Sequence, residues 1–339
     1  MIPPGLSLLE LIESPFTTPS SNEASLSYSK DAYSLAETNK IPLTYLSKLP
    51  HEIRNKLPEY NYHCIRHKRL FEIAAKISKL FDDNGINYVI FKTLRPFPEY
   101  VSDIDVLSIG SVSNYLKMRQ TLKDNGYLFM EKGAYCTTFK DFKTNFETEA
   151  MIDVYDEISV SRLIYLNKRN LYEYTERASL PQGGMTNVFT LEAEFVAVLA
   201  HSAIKENQYI LAEYYTTLNY LSVMDQASIN RFVDLIKSNN LVNVARWHLT
   251  ITSMLHKEAH GSVPGKLVDL LFTLGGSWNI SVEKLNSIPP YQMNPFTLVR
   301  IFGEKLSDGV FRRSFLNQLH KPLNKVSMVR LIEKINSQI

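Results

Sequence analysis

The sequence predicts an α/β domain followed by a helical domain, and three observations carry that prediction. An apolar helical stripe of Leu70, Ile73, Ala74, Ile77, Leu80 and Phe81 stops at Asn84-Gly85. Two short segments rich in β-branched and aromatic residues follow, at 86–91 (INYVIF) and 103–109 (DIDVLSI). Beyond about residue 165 the texture turns to helices, beginning clearly at LEAEFVAVLAHSAI from Leu191.

Taken in order, residues 6–12 form a short amphipathic helix. Residues 14–29 hold ten Ser, Thr or Pro among sixteen and read as a loop or linker. Pro42 to Pro58 reads as short helical pieces separated by prolines. The helix that ends at Asn84-Gly85 opens near Arg66, with Arg66-His67-Lys68-Arg69 as a solvated first turn. A proline-bearing polar loop joins the two strand segments. Ser111 or Ser113 can cap a helix that runs to about Asp124, and Asn125-Gly126 ends it. Strands are expected at 127–130, 135–139 and 150–155. Further helices are expected at 208–223, 227–238, 241–256 and 265–275, then in pieces from Pro295. The expected organisation is N-terminal helices and a Ser/Pro-rich linker over 1–60, an α/β domain over 61–164 and a helical domain over 165–339.

The chain has 339 residues and a net charge of +2, from 37 Lys or Arg against 35 Asp or Glu. Bulk charge therefore cannot hold nucleic acid, although a local basic patch can. The two cysteines, Cys64 and Cys136, cannot build a disulfide framework or a four-cysteine zinc site. A reducing, cytoplasmic setting is the expectation. No apolar run of about 18 residues suggests a membrane span, and MIPPGLSLLELIE lacks the basic start of a signal peptide.

Ser102-Asp103-Ile104-Asp105 opens the second strand segment. Strand side chains alternate faces, so Asp103 and Asp105 point the same way. Two close carboxylates stay ionised only beside a compensating cation, and a hard divalent ion such as Mg²⁺ supplies one through oxygen ligands. Met151-Ile152-Asp153-Val154-Tyr155 offers a third carboxylate. Asp153 faces away from Ile152 and Val154, so burial of those two would turn it toward a shared site. Three carboxylates around two metal ions suit phosphoryl or nucleotidyl transfer.

The order of helix, INYVIFKT, loop, SDIDVLS, helix, strands and MIDVYD resembles the nucleotidyltransferase superfamily that includes DNA polymerase beta and kanamycin nucleotidyltransferase. Within it, the chain looks most like uncharacterised bacterial and archaeal nucleotidyltransferases with a Lys-containing strand end and a helical C-terminal half. NGINYVIFK and LAHSAIKENQ carry that likeness. It covers about 66–160 well and 190–225 more loosely.

The resemblance implies a mixed sheet flanked by helices, with residues 61–164 as the catalytic domain. It implies transfer of NMP from an NTP to an acceptor hydroxyl with release of pyrophosphate. Asp103, Asp105 and Asp153 match the metal-binding and catalytic carboxylates, and two Mg²⁺ ions, or Mn²⁺, are the implied cofactor. The superfamily's glycine loop is replaced by Lys92-Thr93. Glycine lets backbone approach phosphates closely. Here the Thr93 hydroxyl and the charges of Lys92 and Arg95 are expected to grip the nucleotide instead, with Ser102 beside them. The altered loop also leaves open a catalytically inactive module that binds RNA or a protein partner.

Four other features have plainer readings. His256 and His260, at i and i+4, lack the His-Glu-x-x-His order and read as a solvated helix end rather than a zinc site. His201 reads as a core or interface histidine, with a contact in the substrate domain as the alternative, and Gly183-Gly184 as a turn. Residues 296–339 hold eight Lys or Arg against three acidic residues, with Arg312, Arg313, His320, Lys321 and Lys325 interleaved with Phe311 and Phe315. That segment is either a footprint for an RNA backbone or an exposed basic helix face.

Overall fold

A computed structural model describes residues 3–17, 27–141, 150–280, 285 and 287–319. The N-terminal helices are α1 (Pro4–Ile12), α2 (Lys30–Thr38), α3 (Pro42–Ser47), α4 (His51–Arg54) and the long α5 (Pro58–Asp83). Next come β1 (Tyr88–Ile90), β2 (Asp103–Ser108), α6 (Val112–Asp124), β3 (Tyr127–Lys132), β4 (Cys136–Asp141) and β5 (Met151–Tyr155). The chain continues through β6 (Ile158–Val160), β7 (Leu163–Leu166), β8 (Thr175–Ser179) and β9 (Met185–Phe189). The helical half holds α7 (Leu191–Ala200), a π-helical turn at His201–Glu206, β10 (Gln208–Tyr209), α8 (Leu211–Val223), α9 (Gln226–Ser238) and α10 (Val242–His260). It ends with α11 (Gly265–Thr273), β11 (Tyr291–Gln292), α12 (Pro295–Lys305) and α13 (Gly309–Leu319). Among the described residues, no helix is long and apolar enough to cross a membrane.

Seven strands form one mixed sheet in the order β3-β4-β5-β2-β1-β9-β8. The pairs β2–β5 and β1–β9 run parallel, and the other neighbours run antiparallel. This is the expected α/β class, with helices on both faces. The two faces differ. Ile104, Val106, Ile152 and Val154 are fully buried in one core with Ile73 and Ile77 of α5 and Met118 and Leu122 of α6. On the other face Val89, Phe91, Leu107 and Tyr155 join the larger core of the helical half. Period-2 alternation therefore sends Asp103, Asp105 and Asp153 to the second face, beside that larger core.

Three expectations are corrected. Residues 175–189 form the hairpin β8–β9 rather than helix, and β9 pairs with β1, so the sheet does not end at 164. The expected turn at Gly183-Gly184 closes this hairpin, with φ of +88° and +91°, values that glycine takes at little cost. The long helix starts at Pro58, not near Arg66, because proline suits the first helical position. The N-terminal segment packs as part of the helical half: Leu6, Leu8 and Leu9 share a core with Trp247 and Leu249. Fully buried Asn39 accepts from Leu211 N–H through Oδ1 and donates to Pro289 O through Nδ2. Part of the expected linker, 18–26, lies outside the described residues.

Candidate active site

The acidic residues stand on adjacent parallel strands. In the β2–β5 register Asp105 faces Asp153, and Asp103 lies one strand-face step away. All three are half-buried. Burial first, then repulsion from Asp105 and Asp153, holds the Asp103 carboxyl above its usual range. Burial, with repulsion from Asp105, likewise raises Asp153, against the pull of a hydrogen bond from Thr138. These groups share a face and crowd each other, as the sequence predicts.

Each carboxylate has its own partner. Lys92 Nζ lies 3.2 Å from Asp105 Oδ2. Thr138 Oγ1 donates to Asp153 Oδ1 at 2.6 Å, and Tyr155 OH to Oδ2 at 3.4 Å. Ser102, exposed at the rim, hydrogen-bonds the Asp103 side chain. Among the described residues, no three His, Cys, Asp or Glu side chains are gathered into a ready metal-ligand set. Donor type, number and common face suit a hard divalent cation. Lys92 engages Oδ2 of Asp105, the one carboxylate of the three paired with a lysine ammonium.

The Lys92-Thr93 loop differs from its expected role. Lys92 takes φ of +58°, the left-handed region where glycine is at ease. The loop thus keeps the backbone shape of a glycine without having one. Buried Glu194 of α7 accepts the Lys92 backbone N–H, and the Lys92 ammonium lies over the Phe91 ring, 4.6 Å from its centroid. Such contacts offset a strain of about 1–2 kcal/mol. Thr93 is corrected: it is fully buried, donates to Phe91 O at 3.2 Å and accepts from Asp105 N–H at 2.9 Å. Its hydroxyl ties the loop to β2 and is not offered to a nucleotide. Arg95 points into the site, donating to Thr216 Oγ1 at 2.8 Å and lying 3.6 Å from Glu213.

The carboxylates line a cavity of about 330 Å³, walled also by the N-terminal segment and the helical half. Its walls hold Lys40, Arg66, Lys92, Arg95 and Lys205 beside Asp103, Asp105 and Asp153. Arg66 is therefore not in a solvated first turn; it sits within α5, with its guanidinium 5.1 Å from the Tyr100 ring centroid. His201 lines the cavity and accepts from Lys92 Nζ through Nδ1 at 3.2 Å. Burial, followed by the charge of Lys92, drives its pKa well below the usual histidine value, so the ring is neutral. Lys40, Lys205 and Glu213 were not legible as site residues. One signal was available, the interrupted apolar run AHSAIKENQ, which makes the π-helical turn.

His63 also lines the cavity. His256 is buried, not solvated: it donates from Nδ1 to Ser262 O at 2.7 Å and accepts from Ser14 Oγ at Nε2, 3.0 Å away. In α13, Arg312 and Arg313 are exposed as expected, but Phe311 is fully buried and cannot stack on a base. His320, Lys321 and Lys325 lie outside the described residues. No protein-family model matches the chain, and no curated protein matches it.

Proposed function

We propose that this chain is a divalent-metal-dependent nucleotidyltransferase, passing NMP from an NTP to an acceptor hydroxyl and releasing pyrophosphate. The acceptor is an RNA end, a protein side chain or a small molecule. The observation that carries this reading is the placing of Asp103, Asp105 and Asp153 on one sheet face, in the wall of a cavity lined by cations. These three residues would hold Mg²⁺, or Mn²⁺, and two ions are the expected number. Once bound, the metal neutralises triphosphate charge and eases ionisation of the acceptor hydroxyl.

The acceptor oxygen forms a bond to the α-phosphorus as the bond to the bridging oxygen of pyrophosphate breaks. Asp153, whose proton affinity burial raises, takes the acceptor proton. Lys92 and Arg95 face the phosphates with fixed positive charge. The helical half covers this face of the sheet and restricts water around the reacting groups.

Incubation with each labelled NTP, Mg²⁺ and total cellular RNA or protein tests the reading. Label should appear on one acceptor class and disappear with Asp103→Asn. Absence of label from every fraction with every NTP overturns it.

The Lys92–Asp105 pair favours a second reading. An ammonium that already supplies the charge of a cation suits a non-catalytic module binding RNA or a protein partner. Nucleotide-dependent thermal stabilisation that requires Mg²⁺ separates the two, since only the enzyme needs the ion.

A further inference from the structure

Five cationic side chains line the cavity, and they are not equally occupied. Lys92 is paired with Asp105, and Arg95 is engaged by Thr216 and Glu213. Arg66 donates to Tyr62 OH at 2.7 Å. Lys40 and Lys205 make no side-chain hydrogen bond or ion pair with any described residue, although both line the cavity. Two charged donors beside a concave site, with no hydrogen-bonded partner among the described residues, are capacity for a ligand.

Both lysines are held by built features. Lys40 has φ of +57° and follows fully buried Asn39, which is bonded to the first turn of α8 and to Pro289. Lys205 sits in the π-helical turn, which closes at Asn207 with φ of +56°. Both left-handed residues close helix ends, Lys40 after α2, where Ile41 N–H donates to Ala36 O at 2.8 Å, and Asn207 after the π-helical turn, so each lysine leaves from a fixed helix end. π-helical turns occur frequently at functional sites.

The two lysines approach the site from the N-terminal segment and from the middle of the chain. Both line the cavity that also holds Asp103, Asp153 and Glu213. His201 lines the same cavity. An anion held beside the three carboxylates would have both lysines in the cavity wall around it. Glu37 and Glu206 also line the cavity and set a limit on how much negative charge it accepts.

We propose that Lys40 and Lys205 form an anion clamp across the cavity that takes the non-transferred phosphates of a polyphosphate substrate. The clamp is a property of these two residues, and its assignment to a nucleotide tail rests on the nucleotidyltransferase reading. The sequence assigned that grip to Lys92, Thr93 and Arg95; the clamp adds residues from outside the α/β domain.

Calorimetric titration of the full chain with inorganic tripolyphosphate, without metal, tests this. Lys40→Gln and Lys205→Gln should each weaken binding on the order of tenfold or more, as expected for loss of a charged donor. Lys79→Gln, on an exposed part of α5 outside the cavity, should leave it unchanged. Unchanged melting of the ligand-free variants confirms folding. Wild-type binding in both cavity variants, or no tripolyphosphate binding by the wild type, overturns the clamp. Tripolyphosphate binding that needs both lysines, with no NMP transfer to any acceptor, upholds the clamp and overturns the enzymatic reading.

Discussion

Lys92 Nζ stands 3.2 Å from Oδ2 of Asp105, linking the loop after β1 to the acidic strand β2. Both side chains are largely buried, at 6% and 15% exposure, so the pair is little screened by water. It compensates one carboxylate of a crowded group. It also competes with any metal for Asp105.

Asp103→Asn and Asp105→Asn should each lower NMP transfer at least about 100-fold while leaving the fold intact, since a fixed charge at the reacting centre is lost. Asp103→Asn should also melt higher than the wild type without metal, because burial and its neighbours disfavour the Asp103 charge. Labelled-nucleotide incorporation and thermal melting check both statements. Full activity in both variants refutes the assignment.

Lys92 combines charge with a left-handed backbone, and two substitutions separate these. Lys92→Ala and Lys92→Gly both remove the ammonium and should weaken apparent NTP affinity more than the rate at saturation. Lys92→Gly should be the more stable of the two by about 1 kcal/mol, since glycine takes φ of +58° without strain. Denaturant melts of the pair measure this difference. Equal stability would show that the loop relaxes when the side chain is cut.

Glu194 gives a pH dependence with a definite sign. Burial raises its pKa to about 7, against the lowering effect of the Lys92 N–H bond. The folded protein therefore keeps a proton that the unfolded chain releases near its ordinary glutamate value. The proton's contribution to stability is complete below the unfolded pKa and declines as pH rises toward 7, by up to about 1.4 kcal/mol per pH unit for one group. Glu99, raised to about 7 mainly by burial, acts in the same direction. Glu194→Gln should flatten the decline by about one proton. Melting curves from pH 5 to 8 report it, and an identical slope in the variant removes Glu194 from the account.

An RNA acceptor held by α13 would release counterions on binding, so its affinity must fall steeply with salt. Replacing exposed Arg312 and Arg313 with Gln should flatten the log–log slope by at most roughly 2, with NTP affinity unchanged. A shallow slope that the double substitution barely alters points to general surface screening. Lack of binding to any RNA favours a protein or small-molecule acceptor.

The sequence by itself determined the sheet face that carries the acids. Alternation put Asp103 and Asp105 together, and buried Ile152 and Val154 put Asp153 with them. Those facts are local, because side-chain direction in a strand repeats every two residues whatever lies elsewhere. Long helices such as α10 were legible for the same reason, from a repeat near 3.6 residues. Only tertiary structure decided the opposite wall, where Lys40, Arg66, the His201 and Lys205 of one π-helical turn, and Glu213 meet from four segments. It also decided β8–β9: the paired residues Glu176 and Val188 belong to a hairpin whose anchor, Ile90 of β1, lies about a hundred residues earlier. Thr93 lost its expected role through a hydrogen bond to Asp105, twelve residues away. A cavity and a sheet edge arise from contacts distant in the chain, and no local period records which distant residues will pack together.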